Sequence, residues 1–96
     1  MKYTVSLTRA AEADLVRLTE FLAEQSATTA RRAGETLKSA LRSLQDMPLR
    51  TPRRENGLHE MSIRFGESGY VIQYRVDPHA VVIARIFHTR ERRSSD

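Results

Sequence analysis

Residues 70–76 and 80–87 read YVIQYRV and AVVIARIF, and only Asp77, Pro78 and His79 separate them. Both segments are rich in β-branched and aromatic residues, which favour strands. Aspartate is typical of the first position of a tight turn, and proline presets the backbone angle needed at the second. A connection this short joins antiparallel neighbours. The sequence therefore predicts a β-hairpin over these residues.

Two further segments have strand character. Residues 58–65 lie just before the hairpin, and the 66–69 segment (GESG) supplies a turn between them and the first hairpin strand. Residues 2–7 (KYTVSL) alternate between polar and apolar side chains, which is the period of a half-buried strand. The patterns predict four strands, one of them at the start of the chain.

Two amphipathic helices are predicted between the first strand and the other three. Thr8 is suited to cap the first helix, because its hydroxyl can accept a hydrogen bond from a free backbone N–H. The second helix follows the cap candidates of residues 26–29 (SATT) and stops at Pro48, whose ring cannot continue the hydrogen-bond ladder. Gly34 lies inside it, either because the first helix approaches closely there or as a tolerated defect. The apolar stripes are Leu15, Leu18, Phe21 and Leu22 in the first helix and Ala30, Ala33, Leu37, Ala40, Leu41, Leu44 and Met47 in the second.

The order of these elements is β-α-α-β-β-β. This order is typical of an α+β protein in which a helical hairpin packs on one face of a small antiparallel sheet. The 49–57 segment (LRTPRRENG) resembles a linker, and it is expected to connect elements rather than domains. The 96 residues are enough for one hydrophobic core and too few for two, so residues 1–96 are interpreted as a single domain.

The composition excludes several classes of function. The chain has no cysteine, which excludes disulfides, thiolate metal sites and thiol nucleophiles and agrees with a reducing compartment. No window approaches the roughly 20 apolar residues that span a bilayer, so a cytoplasmic protein without a membrane partner is expected. The formal net charge is +4, and nearly all cations are arginines, whose planar guanidinium suits carboxylate and phosphate contacts. The composition indicates an acidic partner, or else an ordinary solvated basic surface.

Neither a metal nor a cofactor is indicated by the sequence. His59, His79 and His88 lie on different segments, with no second histidine or cysteine at ligand spacing. The four glycines form neither a phosphate-binding loop nor a dinucleotide fingerprint. We therefore expect no metal and no cofactor.

One combination of residues has the chemistry of a ribonuclease. An imidazole or a carboxylate would move protons, and guanidinium groups would stabilise a phosphorane. The residues of such a site would be Glu60, Arg64, Arg85 and His88. The alternative is that Arg64 and Arg85 are solvent-facing strand residues and that His88 only ends the last strand. Taken alone, the residues favour this alternative.

Four segments in a specific order carry a family resemblance. They are YTVSLTRAAEADLVRLTEFL at 3–22, the exit from the second helix at Leu41, Leu44 and Pro48, GYVIQYRV at 69–76, and IFHTRER at 86–92. Together with the small size and the element order, they resemble the RelE/ParE superfamily of toxins from bacterial toxin-antitoxin modules. The resemblance covers nearly the whole chain.

The superfamily has two branches with different mechanisms. RelE-like members cut mRNA on the ribosome, whereas ParE-like members poison DNA gyrase and have no known nuclease site. RelE-like nucleases usually carry a basic residue before the apolar pair and tyrosine of the penultimate strand, where this chain has Tyr70 and Val71. They commonly end in a tyrosine or a histidine-tyrosine pair, whereas here Thr89 follows His88. Residues 87–93 (FHTRERR) are instead similar to a ParE-like tail, although Glu91 interrupts the basic run.

The resemblance to the ParE-like branch implies a toxin that inhibits DNA gyrase by protein-protein contact and is held silent by a cognate antitoxin. Such modules stabilise plasmids. The antitoxin is expected to be acidic, partly disordered when free, and bound to the toxin in a hetero-oligomer. The residues expected to contact the target are His88, Arg90, Arg92 and Arg93.

No catalytic residue is assigned in this interpretation. Two alternatives stay open. One is a RelE-type ribosome-dependent mRNA interferase that uses Arg64, Arg85 and His88, and the other is a degenerate, non-toxic binding module.

Overall fold

The structure is a computed structural model that describes residues 2–91. Its elements follow the predicted order. They are β1 (Thr4–Leu7), α1 (Arg9–Ala23), α2 (Ala27–Ser43), β2 (His59–Phe65), β3 (Ser68–Val76) and β4 (Ala80–His88). The α+β class and the β-α-α-β-β-β order are confirmed.

The four strands form one mixed sheet in the order β1-β4-β3-β2. β2, β3 and β4 are antiparallel neighbours, as their short connections require. β1 lies parallel to β4, with Val5 opposite Val81, so the expectation of a wholly antiparallel sheet is wrong for this strand. Turn length constrains only consecutive strands, whereas both helices and two strands lie between β1 and β4 and permit a crossover.

Both helices begin at residues that the sequence offered as caps. Thr8 Oγ1 accepts a hydrogen bond from the N–H of Ala11 at 3.1 Å, and Ser26 Oγ accepts one from the N–H of Thr29 at 3.2 Å. A Cβ built on Gly34 would meet nothing within 4 Å, so no close approach of α1 explains that glycine.

The apolar stripes pack on the sheet except at Ala30, Phe21 and Met47, and Ala30 is partly exposed and outside the core cluster. Phe21 is 60% exposed, and Met47 is 59% exposed because α2 ends at Ser43 and Met47 therefore follows the helix. The buried core combines both helices with β2, β3 and β4: Ala11, Leu18, Ala33, Leu37, Leu41, Leu44, Met61, Tyr70, Ile72, Tyr74, Val81, Ile83 and Ile86. Within residues 2–91, no helix has the length and apolar character needed to cross a membrane.

A β-bulge in β4 determines which of its side chains lie near α1. The pairing with β3 shifts by one residue there, which leaves Ala84 as the extra residue. Ile83 and Ile86 are three positions apart, yet both are fully buried, because the bulge absorbs the odd spacing. The Thr8 hydroxyl donates a hydrogen bond to the Ala84 carbonyl at 2.9 Å. The start of α1 is therefore fastened to the bulge, just before Arg85.

Candidate functional site

A buried carboxylate lies where α1 meets β4. Asp14 is only 3% exposed. Its Oδ2 accepts hydrogen bonds from Nε of Arg85 and from the N–H of Ile86, both at 2.8 Å. Its Oδ1 accepts from Nη2 of Arg85 and from Nη2 of Arg17, both at 3.0 Å. Four donors around one carboxylate, two of them in a bidentate guanidinium contact, offset the cost of its burial.

The contacts within this cluster keep Asp14 and Arg85 in their charged forms. Burial alone would raise the pKa of the Asp14 carboxyl, but the hydrogen bonds from Arg85, Ile86 and Arg17 outweigh it and hold that pKa below its usual value. The hydrogen bond to Asp14 in turn raises the pKa of Arg85. Both groups are therefore ionised at neutral pH. The Arg85 guanidinium also lies 4.9 Å from the centre of the Phe87 ring, a cation-π contact.

Arg17 connects this cluster to the four residues that follow Phe87. Its Nη2 bonds Asp14, while its Nη1 pairs with Oε2 of Glu91. The other carboxylate oxygen of Glu91 accepts from the N–H of His88 at 3.0 Å, and the N–H of Glu91 donates to the His88 carbonyl at 2.9 Å. Residues 88–91 thus form a turn, here called the 88–91 turn, which is held on α1.

The ring of His88 is engaged on both nitrogens. Its Nδ1 accepts from the N–H of Arg90 at 3.2 Å, and its Nε2 lies 2.9 Å from Ser68 Oγ. Since a backbone N–H can only donate, the neutral ring carries its proton on Nε2, which donates to Ser68. The ring also meets Tyr70 edge to face, with centroids 5.4 Å apart. Burial, and secondarily the charge of Glu91, raise the pKa of the Tyr70 phenol.

A groove opens between α1 and the ends of β3 and β4. Its wall on the α1 side is apolar and includes the exposed ring of Phe21. The opposite wall carries Tyr70 and His88, and the 88–91 turn closes one end. The residues that line it are Leu18, Phe21, Leu22, Gln25, Ser68, Tyr70, His88, Arg90 and Glu91.

The residues proposed for RNA cleavage are not brought together. Arg64 is exposed on β2, on the face opposite Met61 and Ile63, which pack toward the helices. His88 follows Ile86 on the face toward the helices. From the register, Arg64 and Arg85 are two strands apart across the sheet and four residues apart along it, or about 16 Å between Cα atoms.

The fourth member of that set is engaged elsewhere. Glu60 accepts a hydrogen bond from the Gln73 side chain at 3.0 Å, and Arg54 approaches it at 3.9 Å. It therefore lies in a local contact between β2 and β3 rather than beside the imidazole of His88.

Two of the four expected target-contacting residues lie in the 88–91 turn, and both are accessible from solvent. Arg90 is exposed, and His88 is partly exposed at the groove. Arg92 and Arg93 lie outside the described residues. The described part of the expected contact surface is therefore one compact turn.

The residues that fix this turn were not identified from the sequence. Asp14, Arg17 and Arg85 are up to 71 positions apart, so no local motif joins them. The sequence did contain one indication that Asp14 is buried. It falls on the same helical face as the buried Ala11 and Leu18. A buried charged residue in an apolar stripe requires a partner of opposite charge, and Arg85 is that partner.

The other histidines have structural surroundings. His59 is buried, stacks on Tyr74 with centroids 5.2 Å apart, and donates from Nδ1 to the Thr51 carbonyl at 2.8 Å. Among residues 2–91, no group of three or more histidine or acidic side chains is arranged to hold a metal ion.

Curated relatives of the chain are toxins from one bacterium. "Toxin RelE3" of Caulobacter vibrioides is 39% identical over 90 residues, which cover 94% of this chain and 98% of the relative. "Toxin RelE1" of the same organism is 39% identical over 93 residues, covering 97% and 100%.

Solved structures show the same fold. A chain of the chromosomal ParDE system of P. aeruginosa superposes with a TM-score of 0.74 at 18% identity, covering 92% of this chain and 97% of that one. A chain of the RelBE2 toxin-antitoxin complex of Mycobacterium tuberculosis superposes with a TM-score of 0.58 at 33% identity, covering 92% and 99%. The model of a family described as the ParE toxin of the type II toxin-antitoxin system parDE matches residues 5–93. The chain therefore belongs to the ParE/RelE family of toxins from type II toxin-antitoxin systems.

Proposed function

We propose that this toxin inhibits DNA gyrase by protein-protein contact through the 88–91 turn and the basic residues that follow it, and that a cognate antitoxin neutralises it. One observation carries the choice of contact over catalysis. The groups that a nuclease would need are separated or already bonded, whereas the exposed Arg90 is presented on an ordered turn.

Arg85 is poorly placed to stabilise a phosphorane. An arginine in that role directs its free donors at the developing negative charge. Here Nε and Nη2 of Arg85 are both bonded to Asp14, so the guanidinium is neutralised within the protein. Freeing it would leave the buried Asp14 carboxylate with fewer donors, which is costly.

His88 is poorly placed to move protons. A general acid or base must reach a substrate atom directly or through one water. Both ring nitrogens of His88 have partners within the chain, at 2.9 Å and 3.2 Å. A contact role does not require His88 to transfer a proton. The ring can hold the turn in place while neighbouring arginines provide charge-assisted hydrogen bonds.

The apolar groove suits the antitoxin. Its apolar α1 wall with the exposed Phe21 fits the apolar side chains of a segment that folds on binding. Arg90 at the rim fits acidic side chains from the same segment. The net charge of +4 favours fast association with an acidic partner. The solved relatives from toxin-antitoxin systems support such a complex.

A second candidate is a ribosome-dependent mRNA interferase. Its support is that the relatives with 39% identity are named RelE toxins. This function would require Arg64, Arg85 and His88 to act together, and therefore a rearrangement of the contacts described above.

The experiment compares two targets side by side. Purified toxin is added to gyrase with relaxed plasmid, and separately to a cell-free translation extract in which mRNA ends are mapped. We expect supercoiling to stop while mRNA stays intact. Arg90→Ala should weaken the inhibition only partly, because contact residues contribute in a graded way, and Arg64→Ala should leave it unchanged.

Three other results would decide against gyrase contact. If mRNA is cut and supercoiling is unaffected, the interferase function replaces it. If His88→Ala abolishes inhibition completely while Arg90→Ala has no effect, a catalytic step is indicated. If neither target is affected, the chain is a non-toxic binding module.

A further inference from the structure

Glu91 is the one acidic residue in the basic run from Arg90 to Arg93, and its charge opposes the acidic partner that the run would attract. The structure gives it two contacts that explain its presence. One carboxylate oxygen pairs with Arg17 on α1, and the other accepts from the N–H of His88. Glu91 therefore binds its own turn to a helix.

Arg17 is held in position before it meets Glu91. Its Nη2 bonds Asp14 at 3.0 Å and lies 3.5 Å from the Ile86 carbonyl. An exposed arginine loses side-chain freedom when it forms an ion pair, and this loss commonly cancels the gain. Since the buried Asp14 already restricts the Arg17 guanidinium, the pair with Glu91 costs less to form than an ordinary surface pair.

The contacts continue from Glu91 to the residues that face the target. Glu91 fixes the N–H of His88, and Nδ1 of His88 fixes the N–H of Arg90. The orientation of Arg90 therefore depends on a series of contacts that begins at Asp14 on α1.

We propose that Arg17 is a positioning residue for the target-contacting surface: anchored by Asp14, it pairs with Glu91 and thereby fixes the orientation of His88 and Arg90. This inference rests on the proposed function, because only that function makes the 88–91 turn a target-contacting surface. The anchoring itself is a property of the chain and is measurable without any target.

The test measures the turn and the inhibition separately. Amide hydrogen exchange of His88 and Glu91 is followed by nuclear magnetic resonance in the full chain, beside inhibition of purified gyrase. Arg17→Ala should speed exchange at both amides about two- to fivefold, the range of a partly exposed ion pair, and weaken inhibition by a similar factor. The matched control is Arg9→Ala, an exposed arginine at the start of the same helix, which should change neither.

A charge reversal distinguishes positioning from general stability. Arg17→Glu alone should disturb the turn more than Arg17→Ala, because it places a carboxylate against Glu91. Combining it with Glu91→Arg should restore part of the slow exchange at the amide of residue 91, relative to Arg17→Glu alone, because the bond from that N–H to the His88 carbonyl is made by the backbone and survives the substitution. A merely structural role of Arg17 would not show this rescue.

The outcomes separate this inference from the proposed function. Unchanged exchange in Arg17→Ala, or no rescue by the reversed pair, overturns the positioning role. Lost inhibition with unchanged exchange also overturns it, because Arg17 would then contact the target itself. If the unaltered toxin does not inhibit gyrase, the proposed function fails, and the exchange data still decide whether Arg17 holds the turn.

Discussion

Asp14 is the residue on which α1 and β4 both depend. Its donors come from the side chain of its own helix neighbour Arg17 and from two consecutive residues of β4, Arg85 and Ile86. Charge-assisted hydrogen bonds of this kind contribute more than neutral ones, and removing the acceptor leaves Nε and Nη2 of Arg85 and the N–H of Ile86 without the hydrogen bonds that Asp14 accepts. The residue is therefore expected to affect both stability and the site.

Replacing this carboxylate by an amide should destabilise the chain. Asp14→Asn keeps the size but removes the charge and turns one acceptor into a donor that faces other donors. We expect a loss of about 2 kcal/mol in the free energy of unfolding, measured by urea denaturation at pH 7. Glu20→Gln, on the exposed face of the same helix, is the control and should change it by less than about 0.5 kcal/mol. Equal effects of both changes would contradict the role of Asp14.

The same variant predicts a pH dependence. The pKa of Asp14 is lower in the folded chain than its unfolded value of about 3.9, so the folded state favours the ionised form. The stability contributed by this shift is complete above the unfolded pKa and is lost as the pH falls through the folded pKa. The difference between the original chain and Asp14→Asn should be constant from pH 7 to about pH 5 and shrink below about pH 4. A difference at pH 2 as large as that at pH 7 would show that charge is not its cause.

The bulge in β4 can be tested by deleting its extra residue. Because Ala84 is the extra residue, deleting it leaves Ile83 and Ile86 on the core face in a regular strand. The chain should still fold, but the Thr8 hydroxyl loses its acceptor, and the donors of Arg85 and Ile86 shift along the strand relative to Asp14. The melting temperature should therefore fall, while the circular dichroism spectrum stays similar.

A second deletion in the same strand is the matched control. Removing Val82, which lies in the regular ladder opposite Arg75 and beside β1, turns either Val81 or Ile83 out of the core. That variant should not fold. If removal of Ala84 is equally disruptive, the bulge has a larger structural role than register alone.

The elements were predictable because their signals are local. Thr8 and Ser26 cap helices through contacts three residues away, and the hairpin turn lies within its own segment. The parallel pairing of β1 depends on residues about 76 positions apart, where no turn fixes direction. The bulge was visible only as the three-residue step between Ile83 and Ile86, and the pairing of Asp14 with Arg85 needed the bulge to be known.

On the scale of the whole molecule, the groove and the 88–91 turn offer two adjoining surfaces with different chemistry. The groove is apolar on its α1 side and accessible, whereas the turn is polar and bears Arg90. An antitoxin that fills the groove and reaches its rim would also cover Arg90. Neutralisation and target contact would then compete for Arg90 and the same end of the molecule, whereas the apolar wall of the groove would serve the antitoxin alone.

This arrangement predicts that antitoxin binding can be weakened without loss of fold or of target contact. Phe21 is 60% exposed, so Phe21→Ser should leave the melting temperature nearly unchanged. A Phe side chain buried by the partner contributes about 2 kcal/mol or more, so the dissociation constant for the antitoxin, measured by calorimetry, should rise at least tenfold. Inhibition of gyrase by the free variant should stay as in the unaltered toxin.

Val16→Ser is the matched control, because Val16 is 54% exposed on the same helix but does not line the groove. If Val16→Ser weakens antitoxin binding as much, or if Phe21→Ser leaves it unchanged, the antitoxin occupies another surface.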